Sequence, residues 1–291
     1  MNIFNWGSRT YIMGIVNVTP DSFSGDGVMD VDAAVEQGLR IVEQGADILD
    51  VGGESTRPGS ARVDLEHELQ RVLPVIEQLA ARVKIPISID TSRAPVAKRA
   101  LDAGATMVND VWALTRDADL ANVVAMHNAY IVLMHNREAT PIVGVLGGHY
   151  SNVNYEASDV IHAVGLGLAQ CVETAERAGI SRRKIIIDPG IGFGKGLEQN
   201  LELLRRLQEL EPFPGLEGLP LLIGTSRKSV IGLTLNLPVE ERLEGTLATL
   251  ALSIAQGADI VRVHDVQAAV RACRMTDAIV RRKSEFEIRT A

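Results

Sequence analysis

The chain has 291 residues, of which 46% are hydrophobic and 23% charged, with 26 glycines and 11 prolines spread along it; this balance argues against disorder and for a globular core. A formal net charge of -8 without a long Lys/Arg run argues against nucleic acid as a partner. Cys171 and Cys273 are isolated and lack metal-type spacing, and no signal core or membrane-length apolar run is visible, so a cytoplasmic protein without a membrane partner is expected.

In chain order, short β-branched runs alternate with stretches of helical period. Strands are expected at Tyr11–Val18, Asp47–Gly52, Pro86–Thr91, Met107–Val111, Tyr130–His135, Lys184–Asp188, Pro220–Thr225 and Asp259–His264. Helices are clearest at Asp64–Arg82, Glu156–Arg177, Glu198–Glu209, Glu240–Gln256 and Val266–Lys283. The strands are apolar almost to their last residues, as in a parallel sheet covered on both faces. Eight βα units at this length predict an α/β fold, the eight-stranded (β/α)8 TIM barrel, as one domain over residues 1–291 with a core at about 11–283. An open, doubly wound sheet is the alternative. Residues 137–154 carry no clear period and read as a long loop.

One junction is written three times: Gly45-Ala46-Asp47-Ile48-Leu49-Asp50, Gly104-Ala105-Thr106-Met107-Val108-Asn109 and Gly257-Ala258-Asp259-Ile260-Val261-Arg262. A glycine that closes a helix left-handed, followed at once by a buried strand, accounts for it. A polar residue stands five positions after each glycine, near the strand's C-terminal end, where barrel enzymes place their chemistry.

The strand ends read Asn17, Asp50, Asp90, Asn109 with Asp110, His135, Asp188, Ser226-Arg227-Lys228, and Arg262 with His264. Taken singly, Asp110 and His135 are better read as loop caps. Carboxylates and amides dominate strands two to six, and cations gather on seven and eight, the usual phosphate corner of this fold. Arg262 could instead pair with a strand-end carboxylate. Asp90 and Asp188 could each accept paired hydrogen bonds from a planar donor edge such as a guanidine-like heterocycle. Two glycine-rich segments fail as nucleotide loops. In Gly190-Ile191-Gly192-Phe193-Gly194-Lys195-Gly196 a dinucleotide fingerprint would need glycine at 195 or 197, and a P-loop would need it at 189, which is Pro189. Val51 to Gly59 is either a polar loop that brings Thr56 and Arg57 to the site or a surface turn.

From about Tyr11 to Asp265 the chain resembles the dihydropteroate synthases. Met13-Gly14-Ile15-Val16-Asn17-Val18-Thr19-Pro20-Asp21-Ser22-Phe23-Ser24 is similar to the family's first signature and Gly52 to Pro58 to its second. Ile186 to Lys195, Gly224-Thr225-Ser226-Arg227-Lys228-Ser229 and Arg262-Val263-His264-Asp265 match three more, in order. The first loop departs from the family's usual Ser-Asp-Gly-Gly: here it reads Ser24-Gly25-Asp26-Gly27, with the acid displaced by one position.

The resemblance implies a transferase of folate biosynthesis that joins 6-hydroxymethyl-7,8-dihydropterin diphosphate to p-aminobenzoate with Mg²⁺ present, acting as a homodimer and inhibited by sulfonamides. It implies that Asp90, Asn109, Asp188 and Lys228 hold the pterin. Asn17, Arg262 and His264 would hold the diphosphate, with Asn17 also a metal ligand. Thr56, Arg57, Pro58, Phe193 and Ser229 would line the p-aminobenzoate site. Two other readings share the pterin residues: a barrel that moves a methyl group from methyltetrahydrofolate to a corrinoid protein, and a pterin-binding paralogue without turnover. The first has no diphosphate to release and no call for the cations of strands seven and eight.

Overall fold

The computed structural model describes residues 3–18, 30–54, 63–137, 140–141, 150–151 and 159–281. Its main sheet has eight parallel strands: β1 (Tyr11–Asn17), β2 (Ile48–Gly52), β3 (Ile87–Asp90), β4 (Met107–Asp110), β5 (Tyr130–Met134), β6 (Ile185–Asp188), β7 (Leu222–Ile223) and β8 (Ile260–Val263). Hydrogen bonds order them β6-β5-β4-β3-β2-β1-β8-β7. A parallel bridge from Ile187 to Leu221 joins the two remaining edges, and the sheet closes into the expected barrel. A separate two-residue antiparallel pair, Thr140–Pro141 with Tyr150–Ser151, lies in the segment read as a long loop.

The apolar strands are explained by two cores. Alternate strand residues such as Ile12, Leu49, Ile89, Val108, Ile131, Ile187 and Val261 pack outward with the helices. The intervening ones, Met13, Ile48, Met107, Val132, Ile186, Leu222 and Ile260, fill the barrel interior together with Phe4, Tyr11 and Tyr130. Each strand is thus buried on both faces. The outer layer is α1 (Val31–Glu43), α2 (Leu65–Ala80), α3 (Ala94–Asp102), α4 (Leu120–Met126), α5 (Val160–Arg177), α6 (Leu197–Arg205), α7 (Ser229–Leu235), α8 (Leu243–Ala255) and α9 (Val266–Val280).

The three repeated glycines have φ of 100, 111 and 101°. At each, two hydrogen bonds close the helix: Gly45 N–H to Val42 and Ala46 N–H to Ile41, Gly104 N–H to Leu101 and Ala105 N–H to Ala100, Gly257 N–H to Ile254 and Ala258 N–H to Ser253. This is a Schellman closure. The same pair of bonds recurs at Asn128, with φ of 47°, and at Gly179, with φ of 91°.

Two predicted helices are broken in the structure. The stretch Glu240–Gln256 is broken: a 3-10 turn at Val239–Glu241 precedes α8. Between them Arg242 is buried, donating from Nε to the Leu237 carbonyl and from Nη1 to the Arg227 carbonyl. Glu198–Glu209 likewise splits into α6 and a 3-10 turn at Leu207–Leu210, because Arg206 leaves helical geometry at φ −120°.

Candidate active site

Residues two apart on a strand face the same side. The inner-core residues Ile48, Met107, Ile186 and Ile260 therefore direct Asp50, Asn109, Asp188 and Arg262 into the barrel, one layer nearer its C-terminal end. Asp90 stands beside Asn109 in the β3–β4 register. A floor of apolar side chains carries a layer of ionisable and amide groups.

That layer is wired together. Asp50, fully buried, accepts from Arg262 Nε at 2.6 Å and from Asn109 Nδ2 at 3.0 Å, both on Oδ2. Arg262 Nη2 donates to Asp90 Oδ2 at 2.8 Å. The polar residues at the end of the three repeated junctions thus meet in one cluster. Burial opposes the Arg262 charge, but Asp50 and Asp90 outweigh it and raise its pKa. For Asp90 burial wins over Arg262, and its carboxyl is pushed up, with Asp50 adding repulsion. Asp90 Oδ1 is buried and has no hydrogen-bond partner among the described residues. Asp50 carried no role in the sequence reading beyond its place at a strand end.

Opposite lies the cation expected on the seventh strand. Lys228 Nζ donates to the Ile191 carbonyl at 2.5 Å and sits 4.6 Å from the Phe193 ring centroid. Burial pulls its pKa down to about 8, against the attraction of Asp188. Burial raises that of Asp188, against Lys228 and the Gly190 N–H, which donates to Oδ1 at 2.7 Å. Lys228 also interacts electrostatically with Arg262 and Asp90, so these four expected site residues share one field.

The glycine-rich segment after β6 is a scaffold. Lys195 is completely buried and donates from Nζ to the carbonyls of His135, Gly190 and Phe193 at 3.1, 3.0 and 2.9 Å. It ties the loops after β5 and β6 together and places Phe193. Gly190, at φ 68°, could not carry a Cβ, which would lie 2.0 Å from the His135 oxygen. In the sequence Lys195 stands out only as the close of the Ile186 to Lys195 motif and as a position unfit for a nucleotide loop; nothing there marks it as a buried tie between loops.

The remaining expected residues are distributed as follows. Asp110 caps its own loop, accepting from the N–H groups of Trp112 and Leu114 at 2.9 and 2.5 Å, with burial pushing its pKa up to about 6. Burial holds the His135 pKa well below the ordinary value. Asn17 ends β1, half-buried and in register with Gly52. His264 Nδ1 lies 3.0 Å from Ser226 Oγ, and its backbone N–H donates to the same oxygen at 3.2 Å. Ser229 is buried at the first position of α7. Arg227, counted among the strand-seven cations, instead forms a two-pronged ion pair with Asp265 at 2.9 and 2.5 Å. Thr56, Arg57 and Pro58, like Gly25 and Asp26, lie outside the described residues. Arg93 binds Glu54 at 3.0 Å and the Val63 carbonyl at 2.5 Å, joining the described residues on either side of 55–62.

Among the described residues no group of three or more His, Cys, Asp and Glu is placed to hold a metal. Asn17 is a hard oxygen donor at the barrel's C-terminal end, and magnesium bound with a phosphate needs only one or two ligands from protein.

Comparison with known proteins decides what this layer belongs to. Residues 13–264 match the family model of the pterin binding enzymes. A dihydropteroate synthase of Clostridium beijerinckii is 49% identical over 281 residues, covering 96% of this chain and 97% of that one. The chain belongs to the dihydropteroate synthase family. Among solved structures, a Clostridium difficile dihydropteroate synthase in the presence of pteroic acid superposes with a TM-score of 0.86 at 49% identity, covering 96% of this chain and all of that one. A Xanthomonas albilineans dihydropteroate synthase with 4-aminobenzoic acid gives 0.83 at 44% identity, covering 94% of each.

Proposed function

We propose that the chain condenses 6-hydroxymethyl-7,8-dihydropterin diphosphate with p-aminobenzoate to give 7,8-dihydropteroate and diphosphate, with Asp90, Asn109, Asp188 and Lys228 holding the pterin. The observation that carries this division of labour is the polarised layer itself: hydrogen-bond acceptors on β3, β4 and β6 face a half-buried lysine at the N-cap of α7. A pterin's aminopyrimidine edge is rich in N–H donors and asks for carboxylates, while its ring carbonyl and nitrogen ask for a cation.

Arg262 on β8, His264 just beyond it and Asn17 on β1 would receive the diphosphate, and Asn17 would supply an oxygen to a magnesium ion accompanying it. When bound, the ion would stabilise charge on the leaving group. The carbon–oxygen bond to diphosphate breaks and leaves a methylene cation conjugated with the ring; the amine of p-aminobenzoate forms the new carbon–nitrogen bond and loses a proton. No enzyme nucleophile is needed, so the residues act by orienting both substrates and by neutralising departing charge. Phe193 and Ser229, next to Lys228, would border the p-aminobenzoate site with Thr56, Arg57 and Pro58.

The protein would work as a homodimer in the cytoplasm. Leu252 on α8 and Met275, Ile279 and Val280 on α9 are exposed on two helices that pack against each other, and both cysteines are free. Among the described residues no helix is long and apolar enough to cross a membrane.

The purified protein, given magnesium, the pterin diphosphate and p-aminobenzoate, is expected to release diphosphate and form dihydropteroate. Tight binding of the pterin without release would overturn the reading.

A further inference from the structure

We infer that Asp50 is a positioning residue that sets the hydrogen-bonding polarity of the pterin pocket by fixing the orientation of the Asn109 amide. This deepens the reading of the site as a pterin pocket and rests on it.

An asparagine side chain offers an acceptor at one end and donors at the other, so its meaning to a ligand depends on what holds it. Asp50 Oδ2 takes a hydrogen bond from Asn109 Nδ2 at 3.0 Å. An ionised carboxylate only accepts, so the amide cannot rotate by half a turn without setting oxygen against oxygen in a buried place, where such a contact is costly. The same oxygen also accepts from Arg262 Nε at 2.6 Å, so it meets Asn109 as an acceptor. Asp50 and Asn109 are 0% and 3% exposed, so solvent cannot substitute for either bond. The Asn109 side-chain oxygen Oδ1 makes no hydrogen bond among the described residues and is left to a ligand. It joins Asp90 Oδ1, also without a partner there. The wall formed by Asp90 and Asn109, paired in register, therefore presents acceptors to an incoming ring. It selects heterocycles with N–H groups along that edge and discriminates against those that present lone pairs there. Removing Asp50 frees Asn109 to turn its donors inward and erases this selection.

A double-substitution cycle tests this. Asp50→Asn makes position 50 able to donate. Pterin diphosphate KM is expected to rise about tenfold or more, the scale of a misdirected charge-assisted hydrogen bond, while KM for p-aminobenzoate stays within about twofold. Asn109→Ala has no amide to orient, so adding Asp50→Asn to it is expected to raise pterin KM by no more than about threefold beyond Asn109→Ala alone. Circular dichroism and a cooperative melt establish folding. An unchanged pterin KM in folded Asp50→Asn overturns the inference, as does a rise in the Asn109→Ala background as large as in the parent. Should Asp50→Asn alone not fold, the double variant compared with Asn109→Ala decides: a further rise of about threefold or less supports the inference and a larger one overturns it. Failure of the parent protein to turn over would strike the functional reading instead.

Discussion

Lys228 combines three features that matter together: partial burial, a carbonyl partner at 2.5 Å, and a pKa pulled down to about 8. Below that pH the side chain is a cation able to donate to a pterin acceptor; above it the charge is gone. The kcat/KM for pterin diphosphate, which reports the free enzyme, should therefore fall as pH rises through about 8. The kcat limb should lie higher, because bound diphosphate favours the cation. Lys228→Arg, which cannot deprotonate in this range, should abolish the kcat/KM limb, and a limb of unchanged position in that variant would assign it to another group. Lys228→Ala should lower kcat/KM by about 100-fold, roughly 2.7 kcal/mol. The residue types of this site were readable because polar side chains ending apolar strands are conspicuous. The role of Asp50 was not, since its partners Asn109 and Arg262 are 59 and 212 residues distant. Only the closed barrel brings them into contact. Arg227 illustrates the opposite error. It reads as one more cation beside Lys228, but its guanidinium is taken by Asp265, a partner that adjacency in the chain cannot reveal.

The helix-to-strand junctions show how far a local pattern reaches. Three copies were legible because glycine, small residue, apolar run and polar end recur with the same spacing. The closure at Asn128 uses the same bonds, yet its strand begins two residues later rather than three. The fifth position after Asn128 is Leu133, which packs outward with the helices, so the pattern disappears from the sequence while the geometry persists. The glycines themselves should be separable by substitution. At Gly257 an added Cβ meets nothing within 4 Å, so Gly257→Ala should cost only the positive φ, about 1–2 kcal/mol. At Gly104 it would also meet the Ala80 Cβ at 2.7 Å, so Gly104→Ala should cost about 1–3 kcal/mol more. Urea unfolding of the two variants checks the order. Equal losses would show that the α2 side yields freely.

At the scale of the molecule the barrel was legible from the double-sided burial of its strands, and its closure rests on very little pairing at one seam. β7 contributes two residues, and the contact with β6 is the single bridge from Ile187 to Leu221. The sequence suggested a longer strand at Pro220–Thr225, but Thr225 turns to pair with Thr249 on α8 at 2.8 Å, and Ser226 with His264. Those contacts take the chain off the sheet toward Lys228. The outer face of α8 and α9 makes its own prediction. Sedimentation should give twice the chain's mass, and Leu252→Glu with Ile279→Glu should give single chains, since both residues are more than 60% exposed in the isolated subunit. A dimer that survives both substitutions would move the interface elsewhere.

The lower end of the barrel is sealed. Phe4 stacks on Trp6 at 4.5 Å and meets Tyr11 and Tyr130 edge-on at 5.0 and 5.2 Å, with Arg9 over Tyr11 and Lys184 over Tyr130. With that exit shut, every molecule must come and go by the same route. On the proposed assignment the pterin would lie deepest, so it would have to enter before p-aminobenzoate, and the joined product would have to be withdrawn before another pterin could follow. A catalyst with a single passage is a queue. Its turnover is governed by how fast the last arrival leaves as much as by how fast the bond is made.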